Sequence, residues 1–212
     1  MRNYQKVLLD PGECVMLIVD HQPQMYFGVE GMARSTVMNA VKGLVKTASV
    51  FRVPVIVTTV TANSFAGPAY KEILTTLPDA RPIDRTTLNA WEDVRVKRAV
   101  ADTSKKKLII AGLWTEVCVT FPALSAMQDN YEVYVVVDAC AGASDDAHKA
   151  ALRRMIQRGV VPITWQSLML EFQRDWADKS TYAQVNAIIN ECGGVYGLGI
   201  DYAKFMKPAT SA

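Results

Sequence analysis

Five short apolar runs rich in β-branched residues, Val15–Val19, Val55–Thr59, Leu108–Ala111, Val133–Val137 and Val160–Thr164, alternate with segments of helical length. Runs that are apolar at nearly every position suit parallel strands covered on both faces, since alternation is needed only where one face meets water. The segments Thr36–Phe51, Pro68–Leu77, Trp91–Asp102, Val117–Asp129 and Asp145–Arg158 supply the crossover helices that parallel strands require. Within the fourth, Val117, Phe121 and Leu124 fall on one helical face. Gly159 follows the last segment, where a helix C′ residue belongs. The alternation predicts an α/β fold, a three-layer doubly wound parallel sheet with helices on both faces. From about Trp165 the strands stop, and QSLMLEFQRDWAD and TYAQVNAIIN read as helices. The expected organisation is a domain over residues 1–176 and a C-terminal helical tail over 177–212, packing on the domain or on a neighbouring subunit.

Composition narrows the function classes. A chain of 212 residues, 50% of them hydrophobic, can bury a full-sized single core. The net charge is +2 with basic residues dispersed, so no nucleic-acid surface is expected. The run Lys105-Lys106-Lys107 precedes a buried strand and reads as a solvated turn. No apolar stretch approaches the roughly 20 residues of a membrane span. The segment MRNYQKVLLDPGE carries no signal-peptide pattern, and the four cysteines form no C-x-x-C pair, so a reducing cytoplasm is expected. No G-x-G-x-x-G follows a strand, which argues against a dinucleotide cofactor. The glycine- and aromatic-rich tail CGGVYGLGIDYAKFMKP has neither a preceding strand nor a following Lys-Ser/Thr. It reads as a surface or inter-subunit segment, not a phosphate loop.

The stretch KLIIAGLWTEVCVTFPALSA at 107–126 points to chemistry. A buried strand ends at Gly112, a short turn follows, and Cys118 is delivered into the start of a helix. Pro122 fixes that reading, because its missing N–H is harmless only near a first turn. Free N–H groups and the positive end of the helix dipole there favour a thiolate. The plain alternative is an inert packing cysteine, the commonest fate of a buried thiol. Cys14, Cys140 and Cys192 lack the strand-to-helix context and read as structural. Asp20 ends the first strand in VMLIVDHQ. In a doubly wound sheet ligands sit outside the carboxyl ends of the strands, so Asp20 and Cys118 converge if their strands are neighbours. The carboxylate then has the position of a base for the thiol.

With VDHQ at 19–22, RTTLNAW at 85–91 and AGLWTEVCVTFPALSA at 111–126, the chain resembles the isochorismatase-like cysteine hydrolases, in their YcaC-type branch. The resemblance covers roughly residues 10 to 176. It implies six parallel strands in the order 3-2-1-4-5-6, which makes the strands of Asp20 and Cys118 neighbours. Relatives such as nicotinamidases and N-carbamoylsarcosine amidohydrolases use an Asp–Lys–Cys triad on amide carbonyls. Carried onto this chain, Asp20 is the general base, Cys118 the acyl-accepting nucleophile, and Arg85 stands where the lysine is. Arginine stays charged, so Arg85 is expected to grip Asp20 bidentately, lower its basicity and narrow the activity. The resemblance also implies a cis peptide at Leu113–Trp114, aiming the Trp114 and Cys118 N–H groups at an oxyanion. Phe65, Asn89, Trp91 and Trp114 are the expected substrate-binding walls. Nicotinamidases hold a divalent ion with histidines after the second strand; TTVTANSFAGPAY has none, so no metal or other cofactor is expected. Isochorismatase itself lacks the cysteine, so its substrate is not carried over.

The resemblance further implies a symmetric homo-oligomer, with an octamer as its YcaC-type form. Leu168, Leu170, Phe172, Trp176, Tyr182 and Ile188 are the apolar residues expected at its interfaces. The leading functional reading is a metal-independent cysteine hydrolase of a small amide or related carbonyl compound. A thiol-based redox protein and a non-catalytic oligomer of the same fold are the alternatives.

Overall fold

The computed structural model describes residues 8–30 and 32–206. Strands β1 (Cys14–Val19), β2 (Val55–Val60), β3 (Ile83–Arg85), β4 (Lys107–Gly112), β5 (Glu132–Val136) and β6 (Val161–Ile163) form one parallel sheet. Their order is β3-β2-β1-β4-β5-β6, as expected. Helices α1 (Pro23–Phe27), α2 (Arg34–Val50), α3 (Lys71–Thr76), α4 (Val94–Asp102), α5 (Thr120–Gln128) and α6 (Asp145–Gln157) follow or connect the strands. Three more, α7 (Trp165–Gln173), α8 (Tyr182–Cys192) and α9 (Val195–Phe205), follow β6 among the described residues. Every residue of β1 and β4 is buried, which is what their unbroken apolar runs require.

Several boundaries differ from the expectation for identifiable reasons. The strand β3 has no apolar run, because Asp84 and Arg85 make up two of its three residues. Asp84 is kept there by accepting hydrogen bonds from the Thr59 hydroxyl (2.9 Å) and the Ala62 N–H (3.0 Å). The helix expected from Trp91 begins at Val94, since Asn89 caps a 3-10 turn over Ala90–Glu92 and Asp93 then caps α4. The glycine-rich tail segment is helical as α9, entered through Gly194 at φ +56°, where a side chain would be strained.

The helix α8 lies along α2. Val185, Ile188, Ile189 and Cys192 are buried, the Asn39 amide donates to the Cys192 carbonyl (2.6 Å), and Glu191 pairs with Lys42 (2.6 Å) and Lys46. The expected oligomer surface is therefore corrected in part: Leu168, Phe172 and Ile188 serve the chain's own core, whereas Trp176 and Tyr182 remain exposed. Exposed apolar residues concentrate instead on α9, at Val195, Leu198, Tyr202 and Phe205. Among the described residues no helix is long and apolar enough to cross a membrane.

Candidate active site

The register between the central strands builds the site. Val19 pairs with Gly112 and with Thr58, so the residues just beyond β1, β2 and β4 meet at one end of the sheet. The order reverses between β1 and β4, the position where doubly wound folds hold ligands. Asp20 leaves β1 with φ +54°, and Trp114 leaves β4 in the left-handed region at φ +54° and ψ +67°. Two non-glycine residues in this region cost of order 1–3 kcal/mol each, a strain that collects at functional sites.

Asp20 is fully buried and paired with Arg85, Nη2 to Oδ2 at 2.6 Å, with both side chains sealed from solvent. Arg85 closes β3, two strands from β1. Adjacent strands stand about 4.8 Å apart, so a side chain must reach about 10 Å, which suits an extended arginine. The grip is one-pronged, unlike the bidentate pair expected, because Nη1 donates instead to the Thr87 carbonyl. The Arg85 Nε is buried without a partner among the described residues. The Thr58 hydroxyl donates to the other Asp20 oxygen at 3.4 Å. Thr58 was not singled out from the sequence, although it is the first polar residue in the run VIVTTV.

Cys118 lies in a π-helical turn, Thr115–Val119, immediately before α5, and is 3% exposed. Asp20 and Arg85 stand close enough for both to act on its thiol, Asp20 raising it and Arg85 lowering it. The three residues expected to form a triad are thus together. The expected thiolate is not what their surroundings favour. Burial first, and the Asp20 carboxylate second, push the Cys118 thiol up, so it rests protonated. Burial likewise outweighs Arg85 and raises Asp20, so the expectation of a weakened base is corrected: desolvation makes this carboxylate readier to hold a proton. Burial also raises Cys14 and Cys140, each to about 12, so thiol acidity does not single out Cys118. The action of both Asp20 and Arg85 on its thiol does.

The expected oxyanion geometry is also corrected. Among the described residues there is no cis peptide bond, so Leu113–Trp114 is trans; the left-handed Trp114 makes the turn instead. The Cys118 N–H donates to the Trp114 carbonyl at 2.9 Å and is occupied within the π turn. The Trp114 indole donates to the Met25 carbonyl (3.2 Å) and lies so close to Gly28 that a Cβ there would stand 2.8 Å from the ring.

Of the other expected walls, Phe65 projects into solvent, 65% exposed, from the turn after β2. Trp91 is buried elsewhere: it stacks edge-on against Tyr131 at 5.2 Å and donates to Asp129 beyond the far end of α5. Asn89 spends its amide on caps and crosslinks, to the Trp91 N–H, Glu92 and Ser125. The spacing of Asn89 and Glu92, three apart, resembles a capping pair and is the signal that marks it as structural. Among the described residues no three His, Cys, Asp or Glu side chains gather as a metal site. The histidines are apart and both buried: His21 Nδ1 meets the Tyr26 hydroxyl (3.0 Å), and His148 faces inward onto Thr115.

Comparison with known proteins agrees with this architecture. Residues 14–167 match the isochorismatase domain family. The chain is 37% identical over 171 residues to the probable hydrolase YcaC of Escherichia coli (strain K12), covering 80% of this chain and 82% of that protein. The crystal structure of Escherichia coli YcaC, described as an octameric hydrolase of unknown specificity, superposes with a TM-score of 0.89 at 34% identity, over 95% of this chain and 98% of that one. YcaC from Pseudomonas aeruginosa, solved with hexane-2,5-diol and covalent acrylamide, gives 0.90 at 32% identity, over 95% and 100%.

Proposed function

This chain belongs to the isochorismatase family, among hydrolases of the YcaC type, and we propose that it is a cysteine hydrolase of a small amide or related carbonyl compound. The observation that carries this reading is the buried Asp20–Arg85 pair at the switch point of the sheet, near enough to the buried Cys118 that both charges act on its thiol. Asp20 takes the thiol proton as sulfur attacks the carbonyl carbon, and the carbonyl π pair moves onto oxygen. Collapse of the tetrahedral species breaks the C–N bond, and the departing amine leaves with the proton held by Asp20. Water then attacks the thioester and passes its proton to Asp20, which returns it to the Cys118 thiolate as the acid departs. Arg85, charged throughout, holds Asp20 in place and offsets the negative charge that migrates between carboxylate and sulfur. Base, nucleophile and fixed charge are all side chains, so the scheme calls for no metal.

Mass spectrometry after exposure to a library of small amides tests this. An acyl adduct on Cys118, lost in Cys118→Ala, is the expected result, and hydrolysis by that variant should fall at least a hundredfold, as for removal of a nucleophile. A sulfenic acid on Cys118 with no acyl adduct would move the protein to the redox reading. An alkylating agent that labels Cys14, Cys140 and Cys192 as fast as Cys118 would remove the nucleophile assignment.

The homo-oligomer belongs to the same proposal. It is supported by the octamer described for the Escherichia coli relative and by the exposed apolar stripe Val195, Leu198, Tyr202 and Phe205 on α9. Light scattering at micromolar concentration should give a mass several times that of one chain. A monomer would refute it.

A further inference from the structure

The turn that carries Cys118 is fastened at its first residue, Thr115, by a residue 33 positions away. The Thr115 hydroxyl shares a 2.8 Å hydrogen bond with His148 Nδ1, and both residues are buried. Thr115 is the first residue of the π turn, and its remaining polar groups are engaged too. Its N–H donates to the Ala141 carbonyl (3.1 Å), and its carbonyl accepts from the Thr120 hydroxyl (2.7 Å). The neighbouring Glu116 accepts from the Ala143 N–H at 3.0 Å. A Cβ at Gly142 would stand 2.7 Å from Glu116 Oε2 and 2.8 Å from the His148 N, so the turn and the start of α6 are packed without slack. The π turn is otherwise held by local bonds, including those to the Trp114 carbonyl, and follows a residue in a strained conformation.

We propose that His148 is a positioning residue: its ring, through the Thr115 hydroxyl, sets the turn that presents Cys118 to Asp20. This rests on the reading of Cys118 as the nucleophile. His148 touches neither Cys118 nor Asp20 by any bond described; it acts through Thr115. The ring is buried, which keeps it neutral, and Glu116 on the turn with Asp145 and Lys149 on its own helix are the charged groups around it. A neutral imidazole has one donor and one acceptor nitrogen, so the Thr115 hydroxyl finds a partner in either tautomer.

The test reads the thiol directly. The rate of Cys118 alkylation by iodoacetamide is followed against pH by peptide mass spectrometry, on the full chain, for wild type, His148→Ala, His148→Asn, Thr115→Val, Thr115→Ser and the double variant of His148→Ala with Thr115→Val. Burial and Asp20 hold the Cys118 thiol above its ordinary range. Loosening the turn relieves both, so the midpoint should fall by about one pH unit or more in His148→Ala and Thr115→Val. The double variant should match either single one, because both break the same bond. Thr115→Ser keeps the hydroxyl and His148→Asn keeps a hydrogen-bonding group, and they should restore the wild-type midpoint. An unchanged midpoint in folded Thr115→Val, or additive shifts in the double variant, would overturn the proposal. Should His148→Ala fail to fold, the pair Thr115→Val and Thr115→Ser decides alone. Labelling of the wild type that does not favour Cys118 over the other cysteines would instead count against the nucleophile reading.

Discussion

Asp20→Ala is expected to lower stability by about 3–5 kcal/mol and to remove Cys118 reactivity together, because it leaves the buried Arg85 guanidinium uncompensated. The pair is sealed from solvent on both sides, so water cannot replace the lost carboxylate. An exposed pair such as Arg98–Asp102 would contribute a small fraction of that. Asp20→Asn separates the two roles in part: it retains the shape and a hydrogen-bond acceptor for Arg85 but cannot take a proton. Its turnover should fall by about a hundredfold to ten-thousandfold, the usual weight of a general base. Urea denaturation of both variants, read by two spectroscopic probes, measures the first effect. A loss under about 1 kcal/mol in Asp20→Ala would mean that Arg85 finds water or another partner, against the geometry described.

A second large effect is expected in acid. Burial holds the His21 imidazole down at about 3 in the folded protein, against an ordinary value of 6.5, with the Ala139 backbone opposing the shift. Its Nε2 completes no hydrogen bond of good geometry among the described residues. Above pH 6.5 neither state binds the proton, and His21 leaves stability unchanged. Below 6.5 the unfolded chain takes a proton that the folded one refuses, so stability falls as pH falls, down to about 3. The slope is about 1.4 kcal/mol per pH unit, or about 2 kcal/mol between pH 6.5 and 5. His148, also lowered by burial, adds a decline of the same sign. The comparison is His21→Gln, which loses the Tyr26 contact at every pH but cannot titrate. Its stability should decline less steeply than wild type over this window, and parallel declines would refute the assignment.

The legible parts of the fold were those encoded by local pattern. Unbroken apolar runs gave β1, β2, β4 and β5, because strands covered on both faces have no other composition to choose from. The edge strand β3 escaped because a three-residue strand held by Asp84 side-chain bonds leaves no hydrophobic period to read. Asp20 and Cys118 were readable from their places at strand ends, whereas Arg85 emerged only through resemblance to a family. The contacts of Trp91 with Tyr131 and of His148 with Thr115 are set by how helices land on the sheet, and no spacing announces them. The direction of the Cys118 shift was missed for a related reason. A helix terminus can be seen in a sequence, but the depth of burial that opposes it cannot.

Arg85 is the last residue of β3, which borders the sheet and pairs with β2 at only three positions. Its reach to Asp20 passes over β2, so one ion pair staples the margin of the sheet to its middle strand. Local opening of that margin and exposure of the reactive centre are therefore a single event. Amide hydrogen exchange along β3 reports on it: in Asp20→Ala these amides should lose protection before those of β1 and β4 do. A ligand that engages Arg85 would act in the opposite sense, quieting an edge that the three-residue pairing holds weakly by itself.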